Sequence, residues 1–95
     1  MSLVVITDWL ADTGAEQHVA DLLPAVTEAA LTEPGVLSFR VVRSLRDQGA
    51  FVVFAEYEDE NALAAHRDSL PYQRLVLAGI TPHLIDRQAE AYALV

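Results

Sequence analysis

The segment Glu33-Pro34-Gly35 constrains the fold of this chain more than any other feature, because it separates a helical pattern from a run of strand patterns. Proline disfavours helical torsions in the residue before it, and glycine accepts the left-handed torsions typical of a helix end. A helix is therefore predicted to end here. The residues that follow predict two strands joined by the polar connection Arg46-Asp47-Gln48-Gly49, which is the pattern of an antiparallel hairpin.

The rest of the chain adds a strand before this helix, and a second helix and a last strand after the hairpin. Apolar residues at helical spacing favour the first helix, with a candidate N-cap in Asp12-Thr13-Gly14 and an expected bend at Pro24. Glu58-Asp59 can cap the second helix. The predicted strands are 3–11, 36–44, 50–57 and 86–94, and the predicted helices are 15–31, 60–67 and 71–78.

This order of elements predicts an α+β fold with the ferredoxin-like split βαβ arrangement, in which helices cover one face of an antiparallel sheet. The 95 residues predict one domain over residues 1–95. The first strand is apolar on both of its alternating faces, which predicts burial on both sides. Because 53% of the residues are hydrophobic, a lone domain would leave apolar surface exposed, and self-association is expected.

Charge and composition exclude several classes of partner. The 14 acidic and 6 basic residues give a net charge of −8, which repels phosphate backbones, so no binding to nucleic acid is predicted. No run approaches the roughly 20 apolar residues of a membrane span, so no membrane association is predicted either. The chain has no cysteine and no secretory signal pattern, which favours a cytoplasmic location.

Four short motifs follow one another along the chain: the turn Glu33-Pro34-Gly35, the strand Phe51 to Glu58, the helix pattern Ala62-Leu63-Ala64-Ala65-His66 and the segment Tyr72-Gln73-Arg74-Leu75. In their order and spacing the chain resembles the antibiotic biosynthesis monooxygenase family, over essentially its whole length. The resemblance implies a homodimer in which two sheets pack face to face as a dimeric α+β barrel. It also implies one pocket per subunit, between the sheet and its helices.

The resemblance further shows where this chain departs from the family. The monooxygenases of the family carry an Asn and a Trp at the positions of Val53 and Tyr57, so this chain lacks the Asn and keeps only an aromatic ring. The haem-degrading branch uses an iron-ligating His in the neighbourhood of Leu75 and Val76, where none is present. Degradation of haem is therefore disfavoured.

His66 is the main catalytic candidate, because imidazole titrates near neutrality and can remove a proton from a phenol or a carbon acid. The alternative is a surface or helix-capping histidine at the edge of the sheet. Tyr57 and Tyr72 are predicted to hold an aromatic ring and its oxygen. The predicted substrate-binding residues are Trp9, for which core packing is the alternative, together with Phe51, Val53 and Arg74.

Other chemistry has little support in the sequence. His18 and His83 are weaker site candidates, and no pair of residues has the spacing of a zinc or di-iron site, so no metal is predicted. The chain has no cysteine, no nucleophilic serine motif and no glycine-rich phosphate loop, so no cofactor is predicted. Arg40 is expected to pair with Glu56, across the hairpin or across the dimer interface, rather than to stabilise an oxyanion.

The leading hypothesis is a cofactor-independent monooxygenase that uses dioxygen and a small aromatic phenol, anthrone or quinol. Deprotonation makes such a substrate electron-rich enough to react with dioxygen directly, so the protein needs only a base, support for an oxyanion and a dry pocket. One alternative is an isomerase of a small oxygenated metabolite. Another is a non-catalytic dimer that binds a ligand.

Overall fold

Four strands and two α-helices follow one another in the order β1, α1, β2, β3, α2, β4 in the computed structural model, which describes residues 2–95. A short π-helix and a 3₁₀ turn connect α2 to β4. The α+β, ferredoxin-like class predicted from the sequence is confirmed. The strands are β1 Leu3–Ala11, β2 Val36–Arg43, β3 Ala50–Tyr57 and β4 Leu84–Ala93; the helices are α1 Glu16–Leu31, α2 Glu60–Asp68, the π-helix Tyr72–Leu77 and the 3₁₀ turn Thr81–His83.

The four strands form one antiparallel sheet in the order β2-β3-β1-β4. Its two faces differ in burial, because side chains alternate along each strand. On β3 the inward residues are almost fully buried, whereas Val52, Phe54 and Glu56 are half-buried. We call the face covered by helices the inner face and the opposite one the outer face. The inward residues of β3 are Phe51, Val53, Ala55 and Tyr57.

Helix α1 supplies most of the cover for the inner face. Its buried residues recur at helical spacing, which places them on one side of the helix, and they pack with the inner face of β1 and β3 in a single core cluster. The helix runs through Pro24, which lies on its exposed side, and the bend expected there stays a prediction. The buried residues of α1 are Val19, Leu23, Val26 and Ala30.

The helix caps agree with the sequence prediction at one helix and differ at the other. Asp59 caps α2, since its side-chain oxygen accepts a hydrogen bond from the backbone N–H of Ala62 at 2.9 Å. The N-cap predicted for α1 in Asp12-Thr13-Gly14 is wrong. The cap residue is Ala15, with no side-chain hydrogen bond, and Asp12 instead accepts from the N–H of its neighbour Thr13.

Arg40 also differs from the prediction. In the register of β2 and β3 it lies opposite Phe54, whereas Glu56 lies opposite Ser38. The guanidinium carbon of Arg40 lies 5.8 Å from the centre of the Phe54 ring, and no ion pair with Glu56 forms within residues 2–95. Within the chain, stacking on an adjacent ring on the half-exposed outer face replaces the pair predicted across the hairpin, and the pair across a dimer interface stays a prediction.

No helix within residues 2–95 is both long enough and apolar enough to cross a membrane.

Candidate active site

A cavity of about 230 Å³ opens between the inner face of the sheet and the segment formed by α2 and the π-helix. Its floor consists of inward residues from the two central strands, among them Trp9 and Val53. His66 from α2 and Tyr72 from the π-helix close it from the other side. The cavity thus combines apolar walls with a few polar side chains, which is the usual composition of a small-molecule site.

His66 lies in the last turn of α2 and is 7% exposed. Its Nδ1 atom lies 2.6 Å from Oε1 of Glu33, whose side chain is 18% exposed. An ionised carboxylate can only accept, so in this pair the proton lies on Nδ1 and is donated to Glu33. A neutral His66 then carries its free lone pair on Nε2, which is the atom that could act as a base.

The Nε2 atom is available for that role. It has no hydrogen-bond partner within residues 2–95. It is also not fully buried, because the fully buried, unpaired polar atoms of this part of the chain do not include it. Because His66 lines the cavity, a ligand there can reach this nitrogen. The alternative of a surface or capping histidine does not describe the structure, since the side chain is buried and is held by a carboxylate.

The turn Glu33-Pro34-Gly35 carries Glu33 to His66. Gly35 has a φ of +83°, in the left-handed region that favours glycine. A Cβ atom at Gly35 would lie 2.6 Å from the Cβ of Ala62, so only glycine lets this turn lie against α2 so closely. The backbone carbonyl of Gly35 also accepts a hydrogen bond from the N–H of Glu58 at 2.7 Å, which fixes the turn to the end of β3.

Three aromatic rings surround the imidazole. The ring centres of Phe39 and Tyr57 each lie 5.6 Å from that of His66, and the centre of Tyr72 lies 5.1 Å away in an edge-on arrangement. These distances are typical of favourable aromatic pairs. The rings pack around the imidazole and leave it 7% exposed, so the contact with Glu33 is partly buried.

Burial raises the pKa of the Tyr57 hydroxyl well above its ordinary value, and the nearby Glu33 carboxylate raises it further, while the charge of Arg67 acts in the opposite direction. The tyrosine therefore stays protonated at neutral pH. It can donate a hydrogen bond to an oxygen that becomes negative in the cavity, but it cannot act as a base.

The structure brings together five of the seven residues that the sequence predicted for the site: His66, Tyr57, Tyr72, Trp9 and Val53 all line the cavity. The other two lie elsewhere. Phe51 is buried near the β2 edge of the sheet, where the guanidinium carbon of Arg43 lies 5.1 Å from its ring centre. Arg74 is exposed on the π-helix and does not line the cavity.

The two other histidines lie apart from the cavity. The rings of His18 and His83 are 4.2 Å apart between centres, and Nε2 of His18 lies 2.9 Å from the carbonyl oxygen of Gly79. Neither lines the cavity. Within residues 2–95 no three residues among His, Asp and Glu lie close enough together to hold a metal ion.

Sequence reasoning missed three charged residues of the site: Arg67 and Arg87, which line the cavity, and Glu33, which contacts His66. For Glu33 the only available signal was its place in the turn that precedes β2, and nothing in the sequence connects that turn to a histidine 33 positions later.

Comparison with known proteins adds a family and a set of related structures. The sequence model of the family called antibiotic biosynthesis monooxygenase matches residues 2–77. A crystal structure of an antibiotic biosynthesis monooxygenase is 28% identical, covers 98% of this chain and 98% of its own, and has a TM-score of 0.91. None of the curated proteins compared with the chain matches it.

Two further structures agree in fold. Rv0793 from Mycobacterium tuberculosis is 24% identical, with 100% of this chain and 96% of its own covered and a TM-score of 0.91. PA3566 from Pseudomonas aeruginosa is 18% identical, with 99% and 94% covered and a TM-score of 0.91. At these identities the two structures show a common fold.

Proposed function

This chain belongs to the antibiotic biosynthesis monooxygenase family, and from that premise we propose that it is a cofactor-independent monooxygenase acting on a small aromatic phenol, anthrone or quinol. The observation that carries the proposal is the 2.6 Å contact between Nδ1 of His66 and Glu33, at the wall of an aromatic cavity. This contact leaves Nε2 of the imidazole free to take a proton from a bound substrate. A carboxylate behind the ring stabilises the imidazolium that results.

In the proposed reaction the substrate supplies the electrons. For an anthrone, Nε2 of His66 removes one proton from the ring CH₂ group, and Tyr57 donates a hydrogen bond to the oxygen that takes up the negative charge. The carbanion adds to dioxygen to form a peroxide, which loses water and leaves a carbonyl group. The balance is CH₂ plus O₂ giving C=O plus H₂O, so no external reductant is consumed.

The side chains that hold the ring are the aromatic ones. Trp9 and Tyr72 present flat surfaces at the cavity wall, where a planar substrate can stack. Val53 adds only apolar surface, so support for the oxyanion rests on the hydroxyl groups of Tyr57 and Tyr72. A dry, apolar site strengthens each of these hydrogen bonds relative to water.

We also propose that the protein acts as a homodimer that covers the outer face of the sheet. That face carries apolar side chains with no helix above them, such as Ile6 and Phe54, which lie opposite each other on β1 and β3. Val42 on β2 is 57% exposed on the same face. Exposed apolar area of this kind is typical of an interface between subunits.

Oxygen uptake tests the proposed reaction. Purified protein is incubated with 1,8-dihydroxyanthrone at neutral pH, in air and under argon, and the quinone product is measured against a blank without protein. We expect product in air only, and a fall in turnover on the order of a hundredfold or more in His66→Ala, because the base is lost.

The same experiment separates the competing functions. An isomer of the substrate, with unchanged mass, that forms equally well in air and under argon while no quinone forms would contradict oxygenation and would indicate an isomerase that uses the same base. Equal turnover by His66→Ala and the unsubstituted protein would contradict the assignment of the base. Thermal unfolding of both proteins serves as the control for folding, since His66 is buried.

A further inference from the structure

The charges of this chain are distributed unevenly between its surface and the cavity. The chain has 14 acidic residues and 6 basic ones, all of them arginine. Seventeen residues line the cavity; none of these is acidic, and two are arginines, Arg67 and Arg87. In a protein with a net charge of −8, the cavity therefore has a positive lining. Such a site attracts anions and repels cations.

Arg67 lies on α2 directly after His66, in the last turn of the helix. Arg67 lines the same cavity as Tyr57, whose hydroxyl the proposed reaction uses, and the charge of Arg67 acts to lower the pKa of that hydroxyl. It forms no ion pair within residues 2–95. Its donors are therefore free to bind a ligand.

Arg87 lines the cavity from β4. It lies on β4 directly across from Trp9 on β1, so the two side chains share the inner face of the sheet. Like Arg67, it has no carboxylate within ion-pair distance in the described part of the chain. Two unpaired guanidinium groups thus flank an aromatic cavity, one from α2 and one from β4.

We propose that the substrate is an aromatic carboxylate, whose carboxylate group is bound by Arg67 and Arg87 while its ring lies against Trp9 and Tyr72. This inference rests on the proposed function and deepens it, because it names the charge of the molecule bound at the same site. A planar guanidinium can donate two parallel hydrogen bonds to a carboxylate, a geometry that favours this group over a neutral oxygen. Within residues 2–95 no carboxylate lies at ion-pair distance from either arginine.

Binding measurements test the proposal without requiring turnover. Isothermal titration calorimetry compares 2-naphthoate with 2-naphthamide, which has nearly the same shape and no charge. We expect 2-naphthoate to bind at least about tenfold more tightly at neutral pH, since a charge-assisted hydrogen bond is worth more than a neutral one. This preference is expected to shrink as salt is added.

Substitutions assign the preference to the two arginines. Arg67→Gln and Arg87→Gln are each expected to weaken binding of 2-naphthoate about tenfold and to leave 2-naphthamide nearly unchanged. Arg46→Gln is the matched control, because Arg46 is exposed in the connection between β2 and β3, away from the cavity. It is expected to leave both affinities as they are.

Three results would overturn the proposal: equal affinities for the two compounds, a preference for 2-naphthoate that survives both substitutions, or binding of neither compound. The proposed function can be contradicted independently of this inference. If 2-naphthoate is preferred and the preference depends on both arginines, the anionic site stands even when no anthrone consumes oxygen. If oxygen is consumed and no charge preference exists, only the present inference is wrong.

Discussion

A buried imidazole can act as a base only if one of its nitrogens is left free and the other is held. In this protein Glu33 holds Nδ1 of His66, a residue of the cavity wall, and leaves Nε2 without a hydrogen-bond partner within residues 2–95. The carboxylate has two effects, since it selects the tautomer and stabilises the positive charge that appears when Nε2 takes a proton. In the proposed reaction Glu33 is therefore a positioning residue, which would act on the substrate through His66.

Replacement of Glu33 by glutamine tests this role. The amide keeps the size of the side chain but loses its charge and can also donate to Nδ1, which would place the proton on Nε2. We expect kcat with a model anthrone to fall on the order of a hundredfold, with KM little changed. The measurement is steady-state oxygen uptake.

Glu28→Gln serves as the control for this substitution, because Glu28 is exposed on α1 and does not line the cavity. We expect its kinetics to equal those of the unsubstituted protein. If Glu33→Gln also kept full kcat, the carboxylate would have no part in the reaction.

Because the pKa of the Tyr57 hydroxyl is raised, we expect the folded chain to lose stability at alkaline pH. Its pKa is raised in the folded chain, so above about pH 10 the unfolded chain loses this proton more readily than the folded one. The stability contribution is therefore fully present below pH 10 and is lost as the pH rises further. Between about pH 9 and pH 11 we expect the free energy of unfolding to fall about 1 kcal/mol more in the unsubstituted protein than in Tyr57→Phe.

Urea unfolding at several pH values measures this difference. The pKa of Tyr92 is also raised, because its hydroxyl donates to Glu90 on the surface, so this exposed tyrosine could add to the alkaline effect and is substituted separately. Tyr92→Phe tests whether the alkaline effect depends on the buried tyrosine. If the free energy of unfolding fell equally with pH in Tyr57→Phe and in the unsubstituted protein, the burial of a protonated Tyr57 hydroxyl would be contradicted.

Individual residues of the site were predictable from the sequence to different degrees. His66, Tyr57 and Tyr72 stood out because their side chains carry chemistry and because the family resemblance ran through them. The contact with Glu33 was not predictable, because it depends on how the turn after α1 lies against α2. Phe51 and Val53 both face inward on β3, but only Val53 lines the cavity, since cover by α1 differs along the strand.

Among the elements, the junction of the Glu33-Pro34-Gly35 turn with α2 determines the geometry of the site. Alanine at position 35 would face both the positive φ and the 2.6 Å approach of Ala62. We expect Gly35→Ala to lower the free energy of unfolding by about 2–4 kcal/mol, the sum of a left-handed torsion and a steric overlap. Chemical denaturation measures the loss.

Gly14→Ala is the matched control. Gly14 has a φ of +92°, but a Cβ atom there would meet nothing within 4 Å. The substitution should lower the free energy of unfolding by about 1–2 kcal/mol, the cost of the left-handed torsion alone. It should leave oxygen uptake unchanged. Equal losses of stability in the two variants would show that the close approach of the turn to α2 adds no steric cost to Gly35→Ala.

The long elements were predicted from the sequence within two residues at almost every end, because periodicity and the turn residues agreed along the chain. β1 and β3 have the predicted bounds. β4 begins at Leu84, two residues earlier than predicted, since the 3₁₀ turn Thr81–His83 leads directly into it. The π-helical form of Tyr72–Leu77 carries no periodic signal that a sequence of six residues could show.

At the scale of the whole molecule, the outer face of the sheet has no helix to cover it in the part of the chain that the structure describes. Phe54 lies in its middle, between Ile6 on β1 and Arg40 on β2. We expect sedimentation velocity to show a dimer at micromolar concentration, and Phe54→Glu to shift it to a folded monomer, because a charge would be buried in the interface.

Leu45→Glu is the control for this substitution. Leu45 is fully exposed in the connection between β2 and β3, so a charge there meets only solvent. It should remain a dimer. A monomeric unsubstituted protein at the same concentration would contradict the proposed assembly.

Incorporation of labelled oxygen tests the account of the site most directly. Protein dialysed against a chelator is given 1,8-dihydroxyanthrone under ¹⁸O₂, and the product is analysed by mass spectrometry. We expect the quinone to contain one heavy oxygen atom from the gas, formed much faster with the unsubstituted protein than with His66→Ala. A product without the label, or labelled product formed equally fast by His66→Ala, would contradict a cofactor-free oxygenation that depends on this histidine.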